Sequence, residues 1–374
     1  MSRILINASN LHVGGGVQVA ASAISEIVRG LDGDPLLKEL TIAVSQEVAG
    51  NLSPEVLLAA QASSLVQLDV RGVDAFNSRF NRLVDEHDTV FTIFGPLYRW
   101  RTRARSIVGF AQPWIIFPDN EVYDQLPWHE KLRTRLRFWI QKLYYKRADT
   151  LVVELQHVKD GLVRELGIEP GRIHVVHNCV SSVYQNEDEW LPLDMPDPQG
   201  ALALGFVGRN YLHKNTAIFP EIVRLLSEEH GIEARFYVTF TEEEWRACTA
   251  EFRAACVNVG PISVGQCPNF YRGVDAVVFP SLLECFSATP LEAMVMGRPL
   301  FVSDKPFNRD VCKEHGRYFD PHTPGEVARQ IAGAFRAGQP DRSTLDAARD
   351  HALTFSSPRH RAEQYLALMN PSSV

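Results

Sequence analysis

Short apolar runs alternate with amphipathic stretches along most of the chain. Runs of β-branched and aromatic residues predict buried strands, whereas apolar residues at helical spacing predict helices with one buried face. Predicted strands cover 3–8, 202–208, 235–240, 275–281, 299–303 and 318–320. Predicted helices cover 17–28, 216–230, 242–255, 290–296 and 357–369. This alternation predicts an α/β protein with parallel sheets and helices on both faces.

The length of the chain and one change in its composition predict the domains. A chain of 374 residues is long enough for two domains. The acidic, proline-rich stretch at 186–200 is typical of a linker. The sequence therefore predicts an N-terminal domain at 1–185, a C-terminal domain at 201–355, and a final segment at 356–374 that contains a helix.

Two carboxylates eight residues apart indicate a ligand site in the second predicted domain. Glu284 and Glu292 bracket the loop that follows the predicted strand 275–281, and Pro290 begins the next helix. In an open α/β sheet, ligands bind beyond the carboxyl ends of the strands. Carboxylates in that place accept hydrogen bonds from hydroxyl groups, which suits a sugar or a ribose. The alternative interpretation is two solvated glutamates at helix ends.

Two cations upstream indicate an anion site. Arg209 and Lys214 lie five residues apart in the loop between the predicted strand 202–208 and the predicted helix 216–230. Cations, backbone N–H groups and a helix N-terminus together suit a diphosphate. The alternative interpretation is a pair of solvated surface charges.

These two segments together resemble a known family. The run 280–294, Pro-Ser-Leu-Leu-Glu-Cys-Phe-Ser-Ala-Thr-Pro-Leu-Glu-Ala-Met, resembles the Glu-x7-Glu motif of the retaining glycosyltransferases of family 4. The run 207–215, Val-Gly-Arg-Asn-Tyr-Leu-His-Lys-Asn, is similar to a second motif of that family. The resemblance implies the GT-B fold, in which two Rossmann-like domains face each other across a cleft. It also implies that the C-terminal helix crosses back to the N-terminal domain.

The resemblance assigns roles to the motif residues. Glu284 would lie near the donor sugar, Glu292 would hold the ribose hydroxyls, and Arg209 and Lys214 would neutralise the departing diphosphate. Arg209, Lys214 and Glu284 are therefore the predicted catalytic residues. The other predicted donor-binding residues are Gly15, Gly16, Gly208, Cys285, Phe286, Ser287 and Ala288. Cys285 and Ser287 depart from the glycines of the family motif, so the sugar pocket is expected to have a different shape.

The first predicted domain contains weaker signals. Residues 14–16 are three consecutive glycines, which predict a flexible loop between a strand and a helix. They do not match the dinucleotide-binding fingerprint, because Val19 stands where its third glycine belongs. The resemblance places Gly15 and Gly16 on the cleft side of the donor. It also suggests His12 and Gln112 as residues on the acceptor side.

Charge is unevenly distributed along the chain. The formal net charge is −7, yet the segment 131–147 is basic, and its cations interleave with leucines and aromatic residues. This pattern predicts a basic amphipathic helix. Its apolar face could pack in the core, or the helix could contact an anionic membrane. Nucleic-acid binding is not expected, because the chain is acidic overall and has no nucleic-acid motif.

The sequence therefore predicts a retaining glycosyltransferase that moves a sugar from a nucleotide-diphosphate donor to a glycan or lipid-linked acceptor in cell-surface polysaccharide biosynthesis. The resemblance implies no metal and no cofactor besides the nucleotide sugar as co-substrate. The alternatives are a catalytically silent sugar-nucleotide-binding protein and a GT-B epimerase or hydrolase. Six cysteines without a Cys-x-x-Cys pair, and no signal peptide or membrane span, predict a cytoplasmic protein, peripheral at the inner membrane face if the basic helix binds there.

Overall fold

The computed structural model describes residues 3–31, 33–60, 63–71, 78–336 and 341–370. Its strands are β1 (Ile4–Ala8), β2 (Leu40–Val44), β3 (Ser64–Gln67), β4 (Thr89–Thr92), β5 (Arg105–Gly109), β6 (Thr150–Val153), β7 (Ile173–Val175), β8 (Leu202–Phe206), β9 (Ala234–Val238), β10 (Cys256–Asn258), β11 (Ala276–Phe279), β12 (Leu300–Ser303) and β13 (Arg317–Phe319).

The α-helices lie between these strands and after the last of them. They are α1 (Gly15–Gly30), α2 (Leu36–Glu39), α3 (Gln46–Ala49), α4 (Pro54–Ala59), α5 (Ser78–Asp85), α6 (Pro113–Ile116), α7 (Trp128–Tyr145), α8 (Gln156–Leu166), α9 (Phe219–His230), α10 (Glu242–Ala247), α11 (Ala250–Ala255), α12 (Cys267–Arg272), α13 (Thr289–Val295), α14 (Pro306–Cys312), α15 (Pro324–Arg336), α16 (Arg342–Phe355) and α17 (Pro358–Met369). No helix in the described ranges is both long and apolar enough to cross a membrane.

The chain forms two compact units. The first comprises Met1–Asp119, Leu126–Asn178 and Ser356–Val374, and the second comprises Asn120–Gln125 and Cys179–Phe355. The division differs from the predicted boundaries in three places. Residues 179–185, predicted to end the N-terminal domain, lie with the second unit. The stretch 186–200, predicted to be a separate linker, lies with the second unit, and so does a short segment from the first half of the chain.

The first unit contains a parallel sheet whose described strands run in the order β3-β2-β1-β4-β5-β6-β7. Every residue of β1 is buried, as expected for a central strand covered on both faces. Helix α17 packs against α1 in this unit, with Ala362, Tyr365 and Met369 in the core. The buried Arg361 of α17 donates hydrogen bonds to Asn178 and Ser22.

The second unit contains a parallel sheet whose described strands run in the order β10-β9-β8-β11-β12-β13. The strand order reverses between β8 and β11, which are neighbours in the sheet. Along the chain, 69 residues lie between Phe206, the last residue of β8, and Ala276, the first residue of β11. In doubly wound sheets, this reversal opens a crevice at the carboxyl edge. The loops that follow β8 and β11 therefore leave the sheet side by side.

Local differences from the predicted elements have identifiable causes. Helix α1 begins at Gly15, so Gly15 and Gly16 lie in its first turn and do not form the predicted flexible loop; Gly14, at φ 70°, precedes the helix. The predicted helix 242–255 is two helices, because Thr249 accepts a hydrogen bond from the backbone of Phe252 and begins a new one. The predicted helix 216–230 starts as a 3-10 turn before α9.

Candidate active site

Two loops of the second unit meet at the reversal between β8 and β11. The β8 loop contains His213 and Lys214, and the β11 loop contains Ser281, Leu282 and Glu284. The backbone N–H of Leu282 donates to the His213 carbonyl at 2.7 Å, and the Ser281 hydroxyl lies 3.1 Å from the same oxygen. These bonds join the two predicted motifs, so Lys214 and Glu284 belong to one site.

Lys214 and Glu284 form an ion pair at the centre of this contact. The Lys214 ammonium lies 2.6 Å from the Glu284 carboxylate, which also accepts from the Ser281 hydroxyl at 2.7 Å. Both side chains are largely buried, with exposures of 14% and 12%. Burial opposes ionisation of Glu284, but Lys214 and Ser281 outweigh it and hold the pKa of this carboxyl below its usual range.

His213 is a residue of this cluster that the sequence interpretation missed. Its Nε2 atom lies 3.8 Å from the Glu284 carboxylate, and its ring stacks on that of Tyr211. Burial lowers the pKa of His213 below its ordinary value, so the imidazole is neutral at neutral pH. The signal that could have found it is its position directly before Lys214.

Arg209 has a different partner from Lys214. Its Nε atom lies 2.8 and 2.9 Å from the two carboxylate oxygens of Glu244, on α10. Glu244 also accepts from the backbone of Thr241 at 2.9 Å, while Thr241 caps the helix, which makes a capping box. The Thr-x-x-Glu spacing after a predicted strand could have shown this cap, but not its contact with Arg209.

Glu292 lies in the first turn of α13, where burial and the hydroxyl groups of two tyrosines determine its pKa. The buried hydroxyl of Tyr271 donates to its carboxylate at 2.8 Å, and Tyr184 lies against the same group. Burial raises the pKa of Glu292 above its ordinary value, and the two tyrosines only partly offset this. Neither tyrosine was predicted, because nothing in the sequence near either residue marks it as a neighbour of Glu292.

The loop between the two glutamates accommodates its unusual residues without backbone strain. Cys285 and Ser287 have negative φ angles, so neither position requires the glycine of the family motif. Cys285 is buried, whereas Phe286, Ser287 and Ala288 are half-buried. Gly208 differs, because its φ of 153° favours glycine, and its backbone N–H donates to the Thr239 hydroxyl at 3.0 Å.

His12 lies in the first unit at the carboxyl ends of β1, β2 and β3. One ring nitrogen is 3.0 Å from Glu47 and 3.6 Å from Asp69, and the other is 3.1 Å from the Val70 carbonyl. Within the described ranges, these three side chains are the group whose ligand atoms lie close enough to share a metal ion. Arg71 pairs with Glu47 at 2.9 Å. A cationic side chain of the protein can therefore balance the negative charge of Glu47 in place of a metal ion.

Gln112, the second residue predicted on the acceptor side, directly precedes α6. It is half-buried, and its side chain does not cap that helix. Gly15 and Gly16 lie in α1, where a Cβ added to Gly15 would meet open space. The structure therefore places these residues near strand ends of the first sheet, and their predicted roles in binding remain predictions.

Helix α7 has apolar residues on both its exposed and its buried sides, so neither predicted interpretation of its apolar residues is excluded. Trp128, Leu132, Leu136 and Trp139 lie on one side of the helix and are exposed, Trp128 by 78%. The buried side instead carries Phe138, Gln141 and Tyr145. Exposed arginines at 133, 135 and 137 flank the apolar face.

Two doubly wound parallel sheets, with a cation and carboxylate cluster at a strand reversal, are typical of α/β proteins that bind nucleotides. Family models agree with this class. The model for glycosyl transferases group 1 matches residues 201–336, and the model for glycosyltransferase family 4 matches residues 79–182. The chain belongs to this family of GT-B glycosyltransferases, which confirms the predicted family and fold class.

Two curated proteins and one solved structure are similar to this chain. The O-antigen chain mannosyltransferase RfbU of Salmonella typhimurium is 23% identical over 49% of this chain and 52% of its own length. The D-inositol 3-phosphate glycosyltransferase of Mycolicibacterium vanbaalenii is 29% identical over 56% of this chain and 50% of its own. The matches thus span about half the length of these relatives. The crystal structure of a glycosyltransferase from Rickettsia africae is 14% identical, with a TM-score of 0.68 over 98% of both chains, and shows the same fold.

Proposed function

We propose that this protein is a retaining glycosyltransferase that transfers a sugar from a nucleoside-diphosphate donor to a glycan or lipid-linked acceptor. The observation that carries the proposal is the Lys214–Glu284 ion pair at the strand reversal of the second sheet. A strand reversal of this kind is where open α/β sheets bind nucleotides. The family matches support the same class of reaction.

The ion pair suits the charges that develop in such a reaction. When the bond between the sugar and the diphosphate breaks, negative charge grows on the phosphate and positive charge on the sugar ring. Lys214 offers a cation for the phosphate, and Glu284, 2.6 Å away, offers an anion beside it for the ring. Arg209 adds a second cation from the same loop. Opposite charges held this close together match the separation of charge in the transition state.

The acceptor step can proceed through the donor itself. The acceptor hydroxyl forms its bond to the anomeric carbon on the face that the diphosphate leaves, and its proton passes to an oxygen of the departing diphosphate. The configuration is then retained. The cations of the chain neutralise the diphosphate, so the proposal needs no metal ion. Glu292, whose carboxylate lies at the start of α13, is proposed to accept hydrogen bonds from the ribose.

The proposed acceptor belongs to cell-surface polysaccharide biosynthesis. The support is the Salmonella relative, whose name refers to an O-antigen chain. The relative covers about half of this chain, so the support concerns the class of acceptor and not its identity. A lipid-linked glycan precursor is the form of acceptor that would also explain an exposed apolar surface in the first unit.

A donor and acceptor assay tests the proposed reaction. UDP, GDP, ADP and dTDP sugars are first screened by thermal shift, and the donors that bind are then incubated with glycan and lipid-linked acceptors, with and without EDTA. We expect acceptor-dependent release of nucleoside diphosphate that EDTA does not change, and a product whose anomeric configuration matches the donor. Donor binding without release would indicate a silent binding protein, and conversion of donor alone would indicate an epimerase or hydrolase.

We further propose that α7 holds the protein at an anionic membrane surface. The support is the exposed side of the helix, where Trp128, Leu132 and Trp139 lie beside arginines. Apolar and aromatic residues next to cations are typical of helices that lie in the membrane interface. Each cation near an anionic surface contributes about 1 kcal/mol, so the attachment should weaken as salt screens it.

Vesicle co-sedimentation tests the membrane contact. We expect binding to vesicles that contain phosphatidylglycerol but not to neutral vesicles, and loss of binding when Arg133, Arg135 and Arg137 become Ser. The control replaces three exposed arginines of α16 and α17, Arg342, Arg349 and Arg359, with Ser, which removes the same charge. Equal losses in both triple variants would show that only net charge matters, and no binding at low salt would contradict the contact.

A further inference from the structure

We propose that Glu244 is a positioning residue that orients the guanidinium of Arg209 toward the diphosphate of a nucleoside-diphosphate ligand. The inference rests on the proposed function, because it assigns a supporting residue to the same site. Glu244 lies outside both motifs that the sequence singled out. It lies on α10, which follows the neighbouring strand β9.

The hydrogen bonds of Glu244 fix both the arginine and its loop. The carboxylate accepts from Arg209 Nε at 2.8 and 2.9 Å, and from the backbone N–H groups of Asn210 at 3.2 Å and Thr241 at 2.9 Å. One side chain therefore joins the β8 loop to the start of α10. The Asn210 side chain holds the β8 loop on its other side, because it accepts from the Thr216 hydroxyl at 2.6 Å.

The geometry leaves the useful part of Arg209 available. The hydrogen bonds that the described residues make to this guanidinium go through Nε, and the Nη1 and Nη2 groups form the fork that binds phosphate oxygens in pairs. Arg209 is 39% exposed, whereas Glu244 is 15% exposed. The carboxylate thus holds the Nε edge of a partly exposed guanidinium, and among the described contacts no hydrogen bond occupies its Nη groups.

Glu244 is ionised in this arrangement. Burial opposes ionisation, but the backbone of Thr241 and the Arg209 guanidinium outweigh it and hold the pKa of Glu244 below its usual range. A carboxylate beside Arg209 also repels a phosphate. Simple electrostatics therefore predicts that removing the charge of Glu244 would strengthen phosphate binding. Positioning predicts the opposite sign, because a guanidinium without a fixed orientation must lose more side-chain entropy on binding.

Calorimetry with nucleotides distinguishes the two signs. The probes are UDP, GDP, ADP and dTDP, together with the corresponding monophosphates. For the diphosphate that the wild-type protein binds, we expect Glu244→Gln to weaken the affinity about tenfold. The affinity for the corresponding monophosphate should weaken by a smaller factor. Glu242→Gln is the matched control, because Glu242 lies on the same helix and pairs only with the exposed Arg246 in the described contacts. It should leave both affinities unchanged.

A double-variant cycle separates positioning from a merely structural role. In an Arg209→Met background, Glu244→Gln should change diphosphate affinity less than twofold, because no guanidinium remains to be oriented. A tenfold loss in both backgrounds, or an unchanged or stronger affinity of Glu244→Gln, would overturn the inference. If the wild-type protein binds none of the four diphosphates, the proposed function fails and this inference fails with it.

Discussion

Glu284 and Glu292 lie at the two ends of one loop, but their surroundings shift their pKa values in opposite directions. Glu284 is paired with Lys214 and its pKa is lowered, whereas Glu292 faces the hydroxyl of Tyr271 and its pKa is raised. The same side chain is thus kept charged at one end and brought closer to neutrality at the other. Such a contrast fits two roles, one beside developing charge and one beside neutral hydroxyl groups.

The largest expected effect comes from removing the cation of the Glu284 pair. Lys214→Met should lower the transfer rate about 10²–10³-fold, because one charge-assisted contact to the departing phosphate contributes about 3–4 kcal/mol to the barrier. Steady-state kinetics at saturating donor measures this effect. Lys38→Met, at an exposed lysine of α2, is the control. If Lys214→Met turns over as fast as the wild type, Lys214 does not act on the departing phosphate.

Nucleotide affinity should separate the two glutamates. Glu292→Gln should weaken binding of the free nucleoside diphosphate about tenfold, which corresponds to roughly 1.4 kcal/mol, because a ribose hydroxyl loses a charged acceptor. Glu284→Gln should not weaken it, because Lys214 is then no longer neutralised and attracts phosphate at least as well. Calorimetry measures both. Equal losses in the two variants would contradict the division of roles.

The pH dependence of stability should have opposite signs at the two sites. The lowered pKa of Glu284 stabilises the fold above the pKa of the unfolded chain, and this stability is lost as the pH falls through the folded pKa. The raised pKa of Glu292 stabilises the fold below the unfolded pKa, and this stability is lost as the pH rises through the folded pKa.

Near neutral pH, Glu284→Gln should therefore lower the free energy of unfolding by about 1–3 kcal/mol, since it breaks a buried pair. Glu292→Gln should leave it equal or higher. Both differences in the free energy of unfolding between variant and wild type should become smaller at acidic pH, where the wild-type carboxyls are protonated. Thermal melts across the pH range provide the measurement. Two melting curves that shift in the same direction at neutral pH would show that the surroundings of the glutamates do not differ as described.

The smallest expected effect concerns the hydroxyl beside Glu292. Tyr271→Phe removes one hydrogen bond to the carboxylate, which should cost about 0.5–1.5 kcal/mol of stability and weaken nucleotide binding several-fold. Without this hydrogen bond, the pKa of Glu292 should rise further. As the pH is lowered, the affinity of the variant for nucleotide should therefore begin to fall at a higher pH than that of the wild type. Tyr237→Phe is the control, because its hydroxyl bonds the Pro196 carbonyl instead. Identical pH profiles for Tyr271→Phe and the wild type would exclude this role.

Much of the fold could be predicted from the sequence, because the patterns that indicate strands and helices are local. The apolar run before Glu284 predicts β11, Pro290 predicts the start of α13, and the described elements agree to within one or two residues. The predicted helix 357–369 corresponds to α17. Strand and helix periods arise within a few residues, so a single segment contains the information that determines them.

The contacts that give the site its character were decided by the tertiary structure. Lys214 reaches Glu284 only because β8 and β11 are neighbours in the sheet, and the partners of Arg209 and Glu292 come from α10 and α12. The exposed face of α7 is a similar case, since an amphipathic pattern shows two faces but not which one is covered. Residue types and spacing predicted which side chains carry the chemistry. Their protonation and orientation depend on burial and on partners distant in the chain, which no local pattern contains.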